Sequence, residues 1–134
     1  MNTLKVLIIE PCPGVYSLKL DGPLDTHTYE TLDSHIQDIY KHFPKNIILD
    51  MHKVNYISSM GVGSLFKIRK YALNNNIVFS IASLQPQVQK VLNTVEAMPA
   101  EIIFRDIAEM DEYLDALQKK AKNDTPPKKP QEPL

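Results

Sequence analysis

One short apolar run in the middle of the chain places the strongest constraint on the fold. Residues 46–51 read NIILDM, with consecutive apolar side chains rather than an alternation of apolar and polar ones. Such a run is typical of a strand that is buried on both faces, in the middle of a sheet covered by helices. We therefore expect an α/β domain with this strand inside its sheet.

The segments on either side of this run complete the α/β pattern. Residues 4–9 and 15–20 are β-rich and are separated by a Pro-Cys-Pro-Gly turn, which predicts a hairpin. Apolar residues at helical spacing predict four helices, and short apolar runs predict two further strands. The predicted helices lie within residues 29–43, 62–72, 88–95 and 107–117, and the strands at 77–82 and 102–104. The pattern predicts a mixed sheet of about five strands with about four helices, mainly on one face.

Length and composition indicate one domain without a general affinity for polyanions. The 134 residues have room for a single core, which we place at residues 1–120, and the Pro/Lys-rich residues 121–134 are predicted to be a disordered tail. A net charge of −1 gives no general attraction for nucleic acid. No apolar run approaches the roughly 20 residues that cross a bilayer, and we expect neither membrane insertion nor export. The single cysteine, Cys12, suits a reducing cytoplasm, where we expect the protein to reside.

The sequence lacks the common signatures of a catalytic or cofactor site. Gly61 and Gly63 would need a third glycine at position 66 for a dinucleotide fingerprint, and Phe66 stands there. Neither a P-loop nor the Gly-x-Ser-x-Gly elbow of a hydrolase is present. The four histidines have no cysteine or carboxylate cluster that would complete a zinc site. We therefore expect no enzymatic activity, cofactor or metal.

Ser58 and Ser59 stand where the third strand gives way to the second predicted helix. A serine there is expected to cap the helix, and its replacement by alanine typically costs about 1 kcal/mol. The same free amides and positive dipole end also accommodate a phosphate, so Ser58 is the better candidate for the cap and Ser59 for a phosphorylation switch. Gly61 and Gly63 leave two interpretations open. They give a partner access to the serine, or they let the helix pack tightly against a neighbour.

Two segments resemble the STAS domain family, and within it the bacterial anti-sigma factor antagonists. Residues 21–28, DGPLDTHT, are similar to the segment before the family's first helix, and residues 48–63 are similar to its central strand and phosphorylation loop. The resemblance covers most of residues 4–118. It implies that Ser59 is the phosphoacceptor, although Ser58 stands where many members have Asp. It also implies a partner-binding surface at these positions: Asp25, Thr26, Ser58, Ser59, Met60, Gly61 and Gly63.

The resemblance implies partner switching. The unphosphorylated domain would bind an anti-sigma factor that is also a serine kinase of the GHKL type, and so release a sigma factor. Phosphorylation of Ser59 would end the association, and a PP2C-type phosphatase would restore it. One alternative is a scaffold subunit of a lipid-transport ABC complex or a sensory assembly, with Ser59 serving only a structural role. A hydrolase that uses Ser59 or Ser64 is a weaker alternative, because no general base is placed by the sequence.

Overall fold

The computed structural model describes residues 3–95 and 103–104. The strands are β1 (Lys5–Cys12), β2 (Val15–Asp21), β3 (Asn46–Lys53), β4 (Val78–Ala82) and β5 (Ile103–Phe104). The helices are α1 (Tyr29–Tyr40), α2 (Ser59–Asn74) and α3 (Pro86–Val95). Every strand that the sequence predicts is present, with ends that differ from the prediction by at most three residues. The fourth predicted helix, residues 107–117, and the predicted tail lie outside the described residues.

The five strands form one mixed sheet in the order β1-β2-β3-β4-β5. β1 and β2 are antiparallel, and the other three neighbouring pairs are parallel. The hairpin is tighter than the four-residue turn that the sequence predicts, because Cys12 already pairs with Val15. Gly14 makes this turn possible with φ of +84°, a conformation that glycine adopts without steric cost. The predicted mixed sheet is therefore confirmed.

The hydrophobic core lies on one face of this sheet. The register places Leu18, Leu49 and Ile81 side by side, and all three are fully buried. The three helices bury their apolar faces in the same cluster, through Leu32, Ile36, Ile39, Leu65, Ile68, Ala72, Val88 and Leu92. Ile48 points to the opposite face and is also buried, as the apolar run in β3 predicts. The helices thus pack mainly on one face, and β3 is the central strand.

The end of α1 differs from the prediction. Phe43 shares the helical spacing of the apolar face, yet α1 ends at Tyr40 and Phe43 is 88% exposed. Phe43 has φ of +52° and lies directly before Pro44, which disfavours helical geometry in the preceding residue. Its amide donates to the carbonyl of Tyr40 at 3.1 Å, as in a left-handed helix terminus. The expected continuation of the helix to Phe43 is therefore wrong.

An aromatic pair joins α1 to α2. The rings of Tyr40 and Tyr71 stack with their centroids 3.7 Å apart and their planes 14° from parallel. Burial of the phenol, with the nearby Tyr71 and Asp33, raises the pKa of Tyr40 to about 12. The hydroxyl is therefore held in its neutral form, and the two helices are fixed relative to each other at their C-terminal ends.

Candidate functional site

Ser58 is the N-cap of α2, as the sequence predicts. Its backbone is extended, with φ of −99° and ψ of 175°, and its Oγ accepts a hydrogen bond from the amide of Gly61 at 3.4 Å. Its carbonyl accepts from the amide of Val62 at 2.9 Å, which closes the first helical turn. Ser58 is partly buried, so its hydroxyl is committed to the helix.

Ser59 begins α2 and faces outward. It is exposed, and within the described part of the chain its hydroxyl has no hydrogen-bond partner. Two exposed apolar side chains flank it in the sequence, Tyr56 at 55% and Met60 at 42%. The amides of the first turn point out of the helix here, where the helix dipole favours negative charge. An approaching molecule would therefore meet a free hydroxyl among apolar groups.

A single residue of the β2–α1 segment holds the start of α2 in place. Leu24 forms an isolated parallel bridge with Ile57, because its amide donates to the Tyr56 carbonyl at 2.9 Å and its carbonyl accepts from the Ser58 amide at 3.0 Å. Leu24 itself is fully buried. Leu24 therefore pairs with residues 52–58, the serine loop that runs from the end of β3 to the N-cap of α2, and this pairing fixes the direction in which α2 begins.

The two glycines of the first turns of α2 have different surroundings. Gly61 is buried, and a Cβ at this position would collide with the Leu24 carbonyl oxygen and lie 2.8 Å from Cγ1 of Ile57. A Cβ at Gly63 would have no atom within 4 Å. Close packing therefore explains Gly61, whereas Gly63 leaves open space on the partly exposed side of the helix. Of the two interpretations that the sequence left open, the structure supports the packing one at Gly61.

Asp25 lies close in sequence to this bridge but is turned inward. Only 7% of it is exposed, and its Oδ1 accepts hydrogen bonds from the His27 amide at 2.8 Å and the Thr28 hydroxyl at 3.2 Å. Its carbonyl accepts from the Tyr29 amide at 2.9 Å, which ties it to the start of α1. The carboxylate of Asp25 is thus used within the chain, and the place of Asp25 on a partner-binding surface, which the resemblance implies, stays a prediction. Its neighbour Thr26 is exposed and remains a candidate contact residue.

Two glutamines that the sequence analysis did not identify anchor the other side of the serine loop. The side-chain amide of Gln85 donates to the His52 carbonyl at 2.8 Å, and that of Gln87 donates to the Asn55 carbonyl at 3.1 Å. Both hydrogen bonds join residues more than 30 positions apart in the sequence, so no local pattern could have revealed them. The loop is therefore held from both sides, by Leu24 and by the start of α3.

The site is an exposed surface around the hydroxyl of Ser59. Residues 3–95 and 103–104 contain no cluster of three or more His, Cys, Asp or Glu side chains that could hold a metal ion. Nor do those residues include a helix of the length and hydropathy needed to span a bilayer. What the arrangement offers is a fixed helix terminus, an exposed serine hydroxyl and neighbouring apolar side chains.

The solved structures similar to this chain include proteins related to transporters. SLC26A9 aligns with a TM-score of 0.69 at 13% identity over 83% of this chain, which spans only 21% of that protein. A sulfate transporter family protein from Wolinella succinogenes aligns with a TM-score of 0.69 at 21% identity, covering 83% of this chain and 93% of that one.

The similar structures also include anti-sigma factor antagonists. Unphosphorylated SpoIIAA aligns with a TM-score of 0.64 at 19% identity, over 85% of this chain and 98% of that one. The phosphorylated form of SpoIIAA from Bacillus aligns with a TM-score of 0.66 at 16% identity, over 82% of this chain and 99% of that one. At these identities the structural likeness establishes the fold. A family model of the STAS domain also matches residues 7–110, and the chain therefore belongs to the STAS domain family.

Proposed function

We propose that this protein is an anti-sigma factor antagonist whose binding is controlled by phosphorylation of Ser59. In this proposal the unphosphorylated form binds an anti-sigma factor that is also a GHKL-type serine kinase, and a PP2C-type phosphatase reverses the modification. The observation that carries this proposal is that two adjacent serines have different surroundings. Ser58 caps α2, whereas the Ser59 hydroxyl is exposed and free.

Because Ser58 caps the helix, Ser59 is free to be modified without loss of the cap. A phosphate on Ser59 adds about −1.5 to −2 charges beside first-turn amides that favour an anion, so α2 itself is not expected to unfold. The same charge placed in a closely packed interface would bring desolvation cost and repulsion from an acidic partner. In this role the protein is a substrate and a binder, with no catalysis of its own. The likeness to SpoIIAA, whose phosphorylated and unphosphorylated forms are both known, supports the proposal.

Titration of a purified anti-sigma factor kinase with three variants tests the proposal. Ser59→Asp is expected to weaken binding at least about tenfold, because one buried unpaired charge commonly costs more than 1.4 kcal/mol. Ser59→Ala should bind like the native protein but accept no phosphate from ATP. Ser34→Asp places the same charge on the exposed side of α1 and serves as the control.

Peptide mapping after incubation with the kinase and ATP should find phosphate on Ser59 and none on Ser58. Equal binding by native protein, Ser59→Ala and Ser59→Asp, together with an unmodified Ser59 peptide, would refute the switch.

The likeness to transporter-related proteins favours a second candidate function. A sulfate transporter family protein matches over nearly its whole length, and SLC26A9 contains a similar domain within a much longer chain. The chain could accordingly be a scaffold subunit, for example of a lipid-transport ABC complex or a sensory assembly. A stable complex with such an assembly, unchanged by Ser59→Asp, would favour this function over the switch.

A further inference from the structure

The outward side of α2 continues from Ser59 to the far end of the helix as an exposed stripe. Successive helical side chains project about 100° apart, so positions 59, 63, 66, 70 and 73 fall within an arc of about 80°. None of these residues is buried, whereas the core residues of the helix project to the opposite side. We name this surface the α2 outer stripe. Its members are Ser59, Gly63, Phe66, Lys70 and Leu73.

The stripe exposes large apolar side chains that the core does not use. Phe66 is 47% exposed and Leu73 is 66% exposed, although the same helix buries Leu65, Ile68 and Ala72. Between Ser59 and Phe66 lies Gly63, beside which a Cβ would meet no atom within 4 Å. The stripe therefore presents an open position at Gly63 followed by two apolar projections, a shape that another protein surface can fill.

The charge of α2 is basic and is not neutralised locally. The helix contains Lys67, Arg69 and Lys70 and no acidic residue. Within the described ranges none of the three forms an ion pair, since the one salt bridge there joins Lys41 to Asp38. Unpaired cations beside exposed apolar groups are complementary to a surface that combines acidic and apolar side chains.

We infer that the α2 outer stripe is a docking surface for an acidic, apolar protein surface on the same partner that reads Ser59. The inference rests on the proposed function and names the chemistry of the partner. From Ser59 to Leu73 the stripe is about 21 Å long at 1.5 Å per residue, a length that fits within one standard interface of about 800 Å² per partner. An acidic partner held along the stripe lies where a phosphate on Ser59 repels it, so docking and switching are coupled by charge.

Binding of a purified anti-sigma factor kinase to stripe variants and matched controls tests this inference. Phe66→Ala and Lys70→Glu are each expected to weaken binding at least about tenfold, the range of a central anchor or a reversed charge. Phe43→Ala removes a ring outside α2 that is more exposed than Phe66, and Lys5→Glu reverses an exposed charge at the start of β1. Both controls should bind within about twofold of the native protein. Added salt should weaken native binding more than binding by Lys70→Glu.

The outcomes separate this inference from the proposed function. If Ser59→Asp loses binding but both stripe variants bind like the native protein, the docking surface is wrong and the switch stands. If the stripe variants lose binding and Ser59→Asp does not, the docking surface stands and the switch falls. If no kinase binds the native chain, both are overturned.

A basic helix face with exposed apolar side chains could also bind an anionic membrane. Sedimentation with vesicles of phosphatidylglycerol and phosphatidylcholine tests this alternative. Vesicle binding that depends on Phe66 and Lys70, with kinase binding that does not, would overturn the inference in favour of a membrane.

Discussion

Alanine at Gly61 and alanine at Gly63 are expected to change the free energy of unfolding in opposite directions. Both glycines lie in the first turns of α2, so intrinsic helix propensity favours either substitution by up to about 1 kcal/mol. Helix propensity alone therefore predicts two stabilised variants. The structure distinguishes them, because only Gly61 is packed against a neighbouring backbone.

The size of the effect at Gly61 follows from what the new methyl group would meet. It would collide with the Leu24 carbonyl oxygen and stand 2.8 Å from Cγ1 of Ile57 and 3.0 Å from Cγ of Leu24. The Leu24 oxygen is also the acceptor for the Ser58 amide, so it cannot withdraw without lengthening that hydrogen bond. Overpacking of this kind typically costs about 1–3 kcal/mol, which leaves a net loss of up to about 2 kcal/mol after the propensity gain.

Urea denaturation followed by far-ultraviolet circular dichroism measures both variants. Gly61→Ala should unfold at a lower urea concentration than the native protein. Gly63→Ala should unfold at a higher urea concentration, because its free energy of unfolding is expected to rise by about 0.5–1 kcal/mol. In thermal unfolding each kcal/mol should move the midpoint by about 2–5 °C for a chain of this size. If Gly61→Ala is stabilised as much as Gly63→Ala, the close approach of Leu24 to α2 is not a feature of the folded protein.

Two further substitutions test buried groups near and away from the site. Asp25→Ala removes the carboxylate that accepts from the His27 amide at 2.8 Å, and should cost about 1–3 kcal/mol in chemical denaturation. Asp21→Ala, at an exposed position, should change the stability little. Equal stability of the two variants would contradict an inward-facing carboxylate. The raised pKa of Tyr40 means that the folded state holds this proton more tightly than the unfolded state, so the stabilisation is complete below about pH 10 and is lost as pH rises through about 12. Tyr40→Phe should lose less stability over that interval than the native protein, and parallel pH profiles would refute the assignment.

The fold could be predicted because its strands and helices are recorded in local patterns. The apolar run in β3 and Pro86, the first residue of α3, each lie within the element that they specify. The prediction failed at Phe43, where spacing favoured the helix and the steric effect of Pro44 on the residue before it was stronger. It also gave too long a hairpin turn, because pairing of Cys12 with Val15 depends on the conformation of Gly14.

The sequence predicted only those features of the candidate site that depend on neighbouring residues in the chain. Sequence alone separated Ser58 from Ser59, since the last residue before a helix and its first residue have different local geometry. It could not decide between partner access and packing for Gly61, because the atom that would collide belongs to Leu24, 37 positions earlier. It also missed the anchoring of the loop by Gln85 and Gln87, which depends on contacts across the fold.

The rigidity of the serine loop decides where the effect of a phosphate would appear. The backbone of Leu24 forms hydrogen bonds with the loop on one side, and two glutamine side chains form hydrogen bonds with it on the other. Gly61 allows α2 to lie close to the Leu24 backbone. A charge added at Ser59 would meet amides that already favour an anion, and the loop has little freedom to move away. The domain would therefore keep its shape when modified. The change would be read by whatever surface docks beside Ser59, which is why the charge of that surface is the quantity to measure.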